Sequence, residues 1–170
     1  MSIVWRDKVL SSYNGNIESV LIVEDASVAE PVAVKAENGV FVTLAGLADK
    51  GREVKYAELA TDPAQDVLLV STPEVFYETG KEIDDFVNEA GAVARAFRLA
   101  DGDVITLTED IVDGAPKVND KYVVGEGGKL EALVAGDGTE AEPVVKFVVR
   151  EDAGYELTRK QNAWRFDVVK

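Results

Sequence analysis

The chain has 170 residues, with 32 Asp and Glu against 18 Lys and Arg, a net charge of −14, and neither histidine nor cysteine. This excludes proton transfer by imidazole, thiol nucleophiles, disulfides and the usual soft zinc ligands, and it opposes binding to a phosphate backbone or an anionic membrane surface. With 46% apolar and 29% charged residues, the composition is that of a folded chain.

The length suits a single β-rich domain over residues 1–170, or two small β lobes joined near residues 73–91. Charge is spread along the chain: residues 1–85 carry a net −9 and residues 86–170 a net −5. No run approaches the roughly 20 apolar residues of a membrane helix. The opening residues, Met1 to Lys8, lack the charge order and small-residue cleavage site of a signal peptide. The expected setting is the cytoplasm, or a particle assembled there.

In chain order, Ser19–Ala26 and Pro31–Leu47 read as extended. Val32, Val34 and Ala36 alternate with Ala33 and Lys35, and Val40, Val42 and Leu44 follow Asn38-Gly39. Both turn residues tolerate positive φ, so the pair predicts a hairpin. Lys50–Ala60 is the next predicted strand. Asp66–Thr72 is an apolar run ending before Pro73, as in a buried strand.

The pattern changes at Pro73. Ile83, Phe86, Val87 and Ala90 recur at helical spacing, acids at 82, 84 and 85 suit a helix start, and Gly91 suits a stop. One principal short helix is predicted near residues 80–90. Ala92–Leu99 alternates again, with Val93, Arg95, Phe97 and Leu99 on one face. Asp101–Ile111 is a turn followed by a strand. Val118–Val124 and Lys129–Val134 flank a Gly-rich turn. Val144–Asp152 is apolar on both parities, as in a central strand, and Trp164, Phe166 and Val168 share a face in the last strand. Eight to ten short strands result. The expected fold is mainly β (α+β), a barrel- or sandwich-like body of short antiparallel strands.

Few residues point to chemistry. Ser11, Ser12, Ser27 and Ser71 have no histidine to activate them. Asp101-Gly102-Asp103 and the group Glu109, Asp110 and Asp113 lack calcium-loop spacing and read first as turns. A structural cation near Asp101, Asp103, Asp110 or Asp113 stays open. The Gly125–Lys129 and Gly136–Thr139 segments depart from the phosphate-loop pattern, and an acid sits in each. No catalytic residue, cofactor or metal ligand is assigned. Arg95, Phe97 and Arg98 form a small basic-aromatic set suited to a protein interface. The competing reading makes them fold residues paired with Asp84, Asp85 or Glu89. Trp5 and Trp164 either complete the core or anchor a chain end on a partner.

One stretch resembles a known group. Gly80, Lys81, Ile83, Asp85, Phe86, Val87, Asn88, Gly91 and Ala94–Leu99, followed by Gly102–Thr108, resemble a segment of small head structural proteins of tailed bacteriophages, the capsid decoration and minor head proteins. Gly46–Val54 and Leu68–Glu74 share its flavour, so the likeness covers roughly residues 40–110. It implies a non-enzymatic virion protein on the capsid exterior, assembled in the host cytoplasm. The major capsid protein would be its partner, with a homo-oligomer at symmetry points and no contact with nucleic acid or membrane. The resemblance assigns no site residue; the residues themselves place the expected interface at Arg95, Phe97 and Arg98, or at a chain end carrying Trp5. Two alternatives stay open: a tail tube, tail terminator or head-tail connector component, and a carbohydrate-binding or other ligand-binding β module.

Overall fold

A computed structural model describes residues 4–8, 16–48, 53–75, 86–133, 142–154 and 161–170. Among the described residues there are eleven strands: β1 (Val4–Lys8), β2 (Ile17–Ile22), β3 (Phe41–Leu47), β4 (Val54–Leu59), β5 (Val67–Val70), β6 (Ala94–Arg98), β7 (Val104–Thr108), β8 (Lys121–Val124), β9 (Leu130–Ala132), β10 (Lys146–Asp152) and β11 (Ala163–Val169). The fold is mainly β, as the sequence indicates.

Strands β2 to β6 close into a barrel in the order β2-β4-β3-β5-β6. Val20 and Ile22 of β2 share a face with Val42, Leu44, Ala57, Leu68, Val70, Ala94 and Ala96, as the registers require. In a closed barrel, alternate residues of each strand must face inward. Five strands enclose little space, and the inward set accordingly includes three alanines. All pairs are antiparallel except β2 with β4, which run parallel.

The other six strands form an antiparallel sheet, β1-β7-β11-β10-β8-β9. It curls because the chain beyond β7 returns to the far strand. The Leu130 N–H donates to the Ile111 carbonyl and the Asp113 N–H to the Leu130 carbonyl, both at 2.8 Å. β10 lies between β11 and β8, the central position its two-sided apolar pattern predicts.

One hydrophobic cluster runs through both units. Phe41 and Leu69 lie on the outer face of the barrel, and the Phe41 ring meets Phe147 of β10 at 5.0 Å and 58°. Tyr122 and Phe166 cross edge to face at 5.8 Å, an arrangement ring quadrupoles favour. Trp164 packs against this cluster. Backbone bonds also join the units: the Gly128 N–H donates to the Ala60 carbonyl at 2.7 Å, and the Val144 N–H to the Pro63 carbonyl at 3.0 Å. The segment from Ser71 to Val93 connects β5 and β6, neighbours within the barrel. After β6 the chain enters the sheet through the short Leu99–Asp103 turn.

One local expectation falls mostly outside the described residues, and another differs from the structure. Residues 76–85 of the predicted helical region lie outside the described residues, and from Phe86 the chain is not helical. Asn88 is bridged to Ala36, N–H to carbonyl in both directions at 3.0 and 2.9 Å. This long-range pairing fixes Asn88 in an extended bridge rather than in a helix. Among the described residues, the helical element is a 3-10 turn over Glu126–Gly128.

Asn38-Gly39 does turn, with Gly39 at φ 93, but its arms do not form a hairpin. The Val34 N–H donates to Ile22, Ala36 pairs with Asn88, and β3 pairs with β4 and β5. The Asn38 side chain explains why. Its Oδ1 accepts the Thr72 N–H at 2.9 Å and its Nδ2 donates to the Thr72 carbonyl at 2.9 Å. It therefore pairs with Thr72 much as a strand backbone would, and ties the turn to the end of β5.

Tyr122 supplies a pH test of this packing. Burial raises its phenol pKa above the usual value of 10.0, and the carboxylates of Asp120 and Asp113 add to the shift. A raised pKa means the folded state prefers the neutral phenol. The corresponding stability is present below pH 10.0 and is lost as pH rises through the folded-state pKa. Ultraviolet titration should show Tyr122 ionising above pH 10.0, as a late step that Tyr122→Phe removes. Loss of the step in Tyr56→Phe instead would contradict the assignment.

Candidate functional site

The densest described cluster of charge closes one end of the barrel. Strand alternation places Glu18 on the same face as the buried Val20 and Ile22, beside Lys55 of β4 and Arg98 of β6. Lys55 Nζ reaches Glu18 Oε2 at 2.9 Å, and Arg98 Nε lies 3.5 Å from Glu18 Oε1. Arg98 also binds Asp66 at 3.0 Å, and Lys170 Nζ reaches the other Asp66 oxygen at 3.3 Å. Lys55, Arg98 and Lys170 thus share the carboxylates of Glu18 and Asp66.

Beside this network lies a hollow of about 390 Å³ lined by Thr43, Leu44, Gln65, Asp66, Leu68 and Arg98. Leu44 and Leu68 supply its apolar wall, and Arg98 and Asp66 supply the charge. The guanidinium is already paired twice, and the arrangement offers no activated nucleophile. Partly exposed pairs of this kind contribute about 0–1 kcal/mol each. Their evident effect is to let charged residues cover the open end of a narrow apolar barrel.

Arg95, Phe97 and Arg98, expected together at an interface, do not form one patch. Arg95 and Arg98 point to opposite faces of β6: Arg95 is exposed on the outside, and Arg98 belongs to the barrel end. Phe97 is only 1% exposed. It sits in the outward row Ile17, Phe97, Leu69 and Phe41 but is covered, which corrects its assignment to a surface. The backbone of Trp5 pairs with Thr106 at the margin of the sheet, and its side chain lies outside the described residues. Pairing of Arg95 with Asp84 or Asp85 also lies outside them.

The acidic turns are tied into the fold by backbone hydrogen bonds. Asp103 is fully buried and its carboxylate accepts the Ala100 N–H at 2.8 Å. Asp101 accepts the Lys170 N–H at 3.2 Å, and Gly102 turns the chain at φ 82. Asp113 engages Tyr122 and β9 through its main chain. Asp25 behaves similarly: bonds from the Ser27 hydroxyl and then the Ser27 N–H hold its carboxyl below the usual carboxylate range. Among the described residues, no three acidic side chains come together in a way that could hold a metal ion. The Gly125–Lys129 segment is the turn of the β8–β9 hairpin. The segment Gly136–Thr139 lies outside the described residues.

Sequence reasoning missed Glu18, Lys55, Asp66 and Lys170. Glu18 carried a usable signal, since it falls on the buried parity of β2. Its partners come from strands far apart in the chain, which no local pattern brings together. Comparison with known proteins leaves the chain standing by itself: no family model, no curated protein and no solved structure matches it.

Proposed function

We propose that this chain is a non-enzymatic structural component of a tailed-phage virion, bound to the exterior of the head with the major capsid protein as its partner. The observation that carries the reading is the stretch from Gly80 to Thr108 with its likeness to phage head decoration and minor head proteins. In the fold the wider likeness, residues 40–110, spans β3 to β7, most of the barrel and the first strand leading into the sheet. The acidic surface suits a position away from packaged DNA, because like charge opposes approach to a phosphate backbone. The Asp101 and Asp103 carboxylates accept backbone N–H groups, which supports a structural role.

On this reading Arg95 is the contact residue to test. It is exposed on the outer face of β6 beside Val93, which is 49% exposed. An arginine next to an apolar side chain is a common element of an interface centre. The purified protein should sediment with purified heads, and Arg95→Glu should weaken the association at least about tenfold if this contact is central. Sedimentation with tails and never with heads would overturn the head reading in favour of a tail or connector role.

A further inference from the structure

We infer that Asn38-Gly39 is a deamidation site gated by folding, whose product cannot rebuild the native turn. Asn-Gly is chemically labile because the following residue has no side chain to hinder attack by its own nitrogen. In the reaction the Gly39 amide nitrogen loses its proton and bonds to Asn38 Cγ. The Cγ–Nδ2 bond breaks and nitrogen leaves as ammonia. Water then opens the resulting succinimide at either carbonyl, giving aspartate or isoaspartate at position 38.

Every group needed for the first step is restrained in the native fold. The Gly39 N–H donates to the Val70 carbonyl at 2.8 Å. Asn38 Oδ1 accepts from the Thr72 N–H at 2.9 Å and from Asn88 Nδ2 at 3.2 Å. Asn38 Nδ2 donates to the Thr72 carbonyl at 2.9 Å and to Glu74 Oε1 at 3.1 Å. The side chain is clamped on both polar atoms, and Asn38 is 2% exposed, so water has little access. Rotation of Cγ toward the Gly39 nitrogen requires these bonds to break together. That is an opening of the β5 end, with a low population under native conditions.

The product is incompatible with the same site. Aspartate at position 38 has no N–H for the Thr72 carbonyl or for Glu74, and it sets a buried negative charge against the Glu74 carboxylate. Isoaspartate also lengthens the main chain by one carbon within the turn. A chain modified while unfolded is therefore barred from the native state, so that an excursion becomes irreversible.

The experiment uses the unmodified full chain, held at mildly alkaline pH in native buffer or in concentrated urea, with peptide mass mapping and isoaspartate labelling over time. Asn14-Gly15, the other Asn-Gly pair of the sequence, gives the reference rate in urea. Conversion at Asn38 should match that reference in urea and be slower by more than about 100-fold in native buffer, following the small open population. A smaller ratio overturns the gating. The urea sample is then returned to native buffer and separated by size. Chains converted at position 38 should be depleted from the native peak. Converted and unconverted chains sharing that peak in equal proportion would overturn the second half of the inference.

Discussion

Gly128→Ala is expected to destabilise the protein by about 4 kcal/mol or more, while Gly127→Ala, one residue earlier, should cost only about 1 kcal/mol. The two glycines have nearly the same positive φ, 69 and 70. They differ in surroundings. A Cβ on residue 127 meets nothing, whereas one on residue 128 would overlap the Phe41 carbonyl oxygen of β3. That oxygen already accepts the Ala60 N–H at 3.0 Å, and Ala60 in turn accepts the Gly128 N–H. The methyl group must therefore push the hairpin turn away from the barrel and break a buried backbone bond. Urea unfolding of both variants measures the difference. Equal losses would show that the cost is conformational strain alone and that the close approach has no energetic weight.

Phe147→Ala should lose about 3–5 kcal/mol, the usual range for truncating a buried aromatic. Phe147 is fully buried and its ring is the sheet's contact with Phe41 of the barrel. A double-mutant cycle with Phe41→Ala should give a coupling of about 1 kcal/mol, the scale of a buried ring pair beyond its area. Because one cluster runs through both units, the native chain should unfold in a single transition by every probe. A coupling near zero together with two separate transitions would show that barrel and sheet fold independently.

The sequence by itself determined much of the local architecture. Period-two alternation and turn residues located the strands from Ser19 to Val169 and the Gly-rich hairpin, and the apolar run Val67–Val70 is buried throughout. β1 went unrecognised, since Val4 to Lys8 has only two apolar residues at its start. These successes have a common reason. Which face a side chain takes and where a chain can turn are set within a few residues.

The tertiary structure decided what those local rules leave open. Strand partners, including the parallel β2–β4 pair, follow from closing a barrel and burying both of its faces. The same closure separates Arg95 from Arg98 and covers Phe97. It gathers Glu18, Lys55, Arg98, Asp66 and Lys170, spread over more than 150 residues, at one barrel end. Asn38-Gly39 shows the division most directly. Its residue types dictate a turn, but the burial of an amide side chain requires partners. Those partners, Thr72 and Asn88, come from distant parts of the chain, and only the fold selects them.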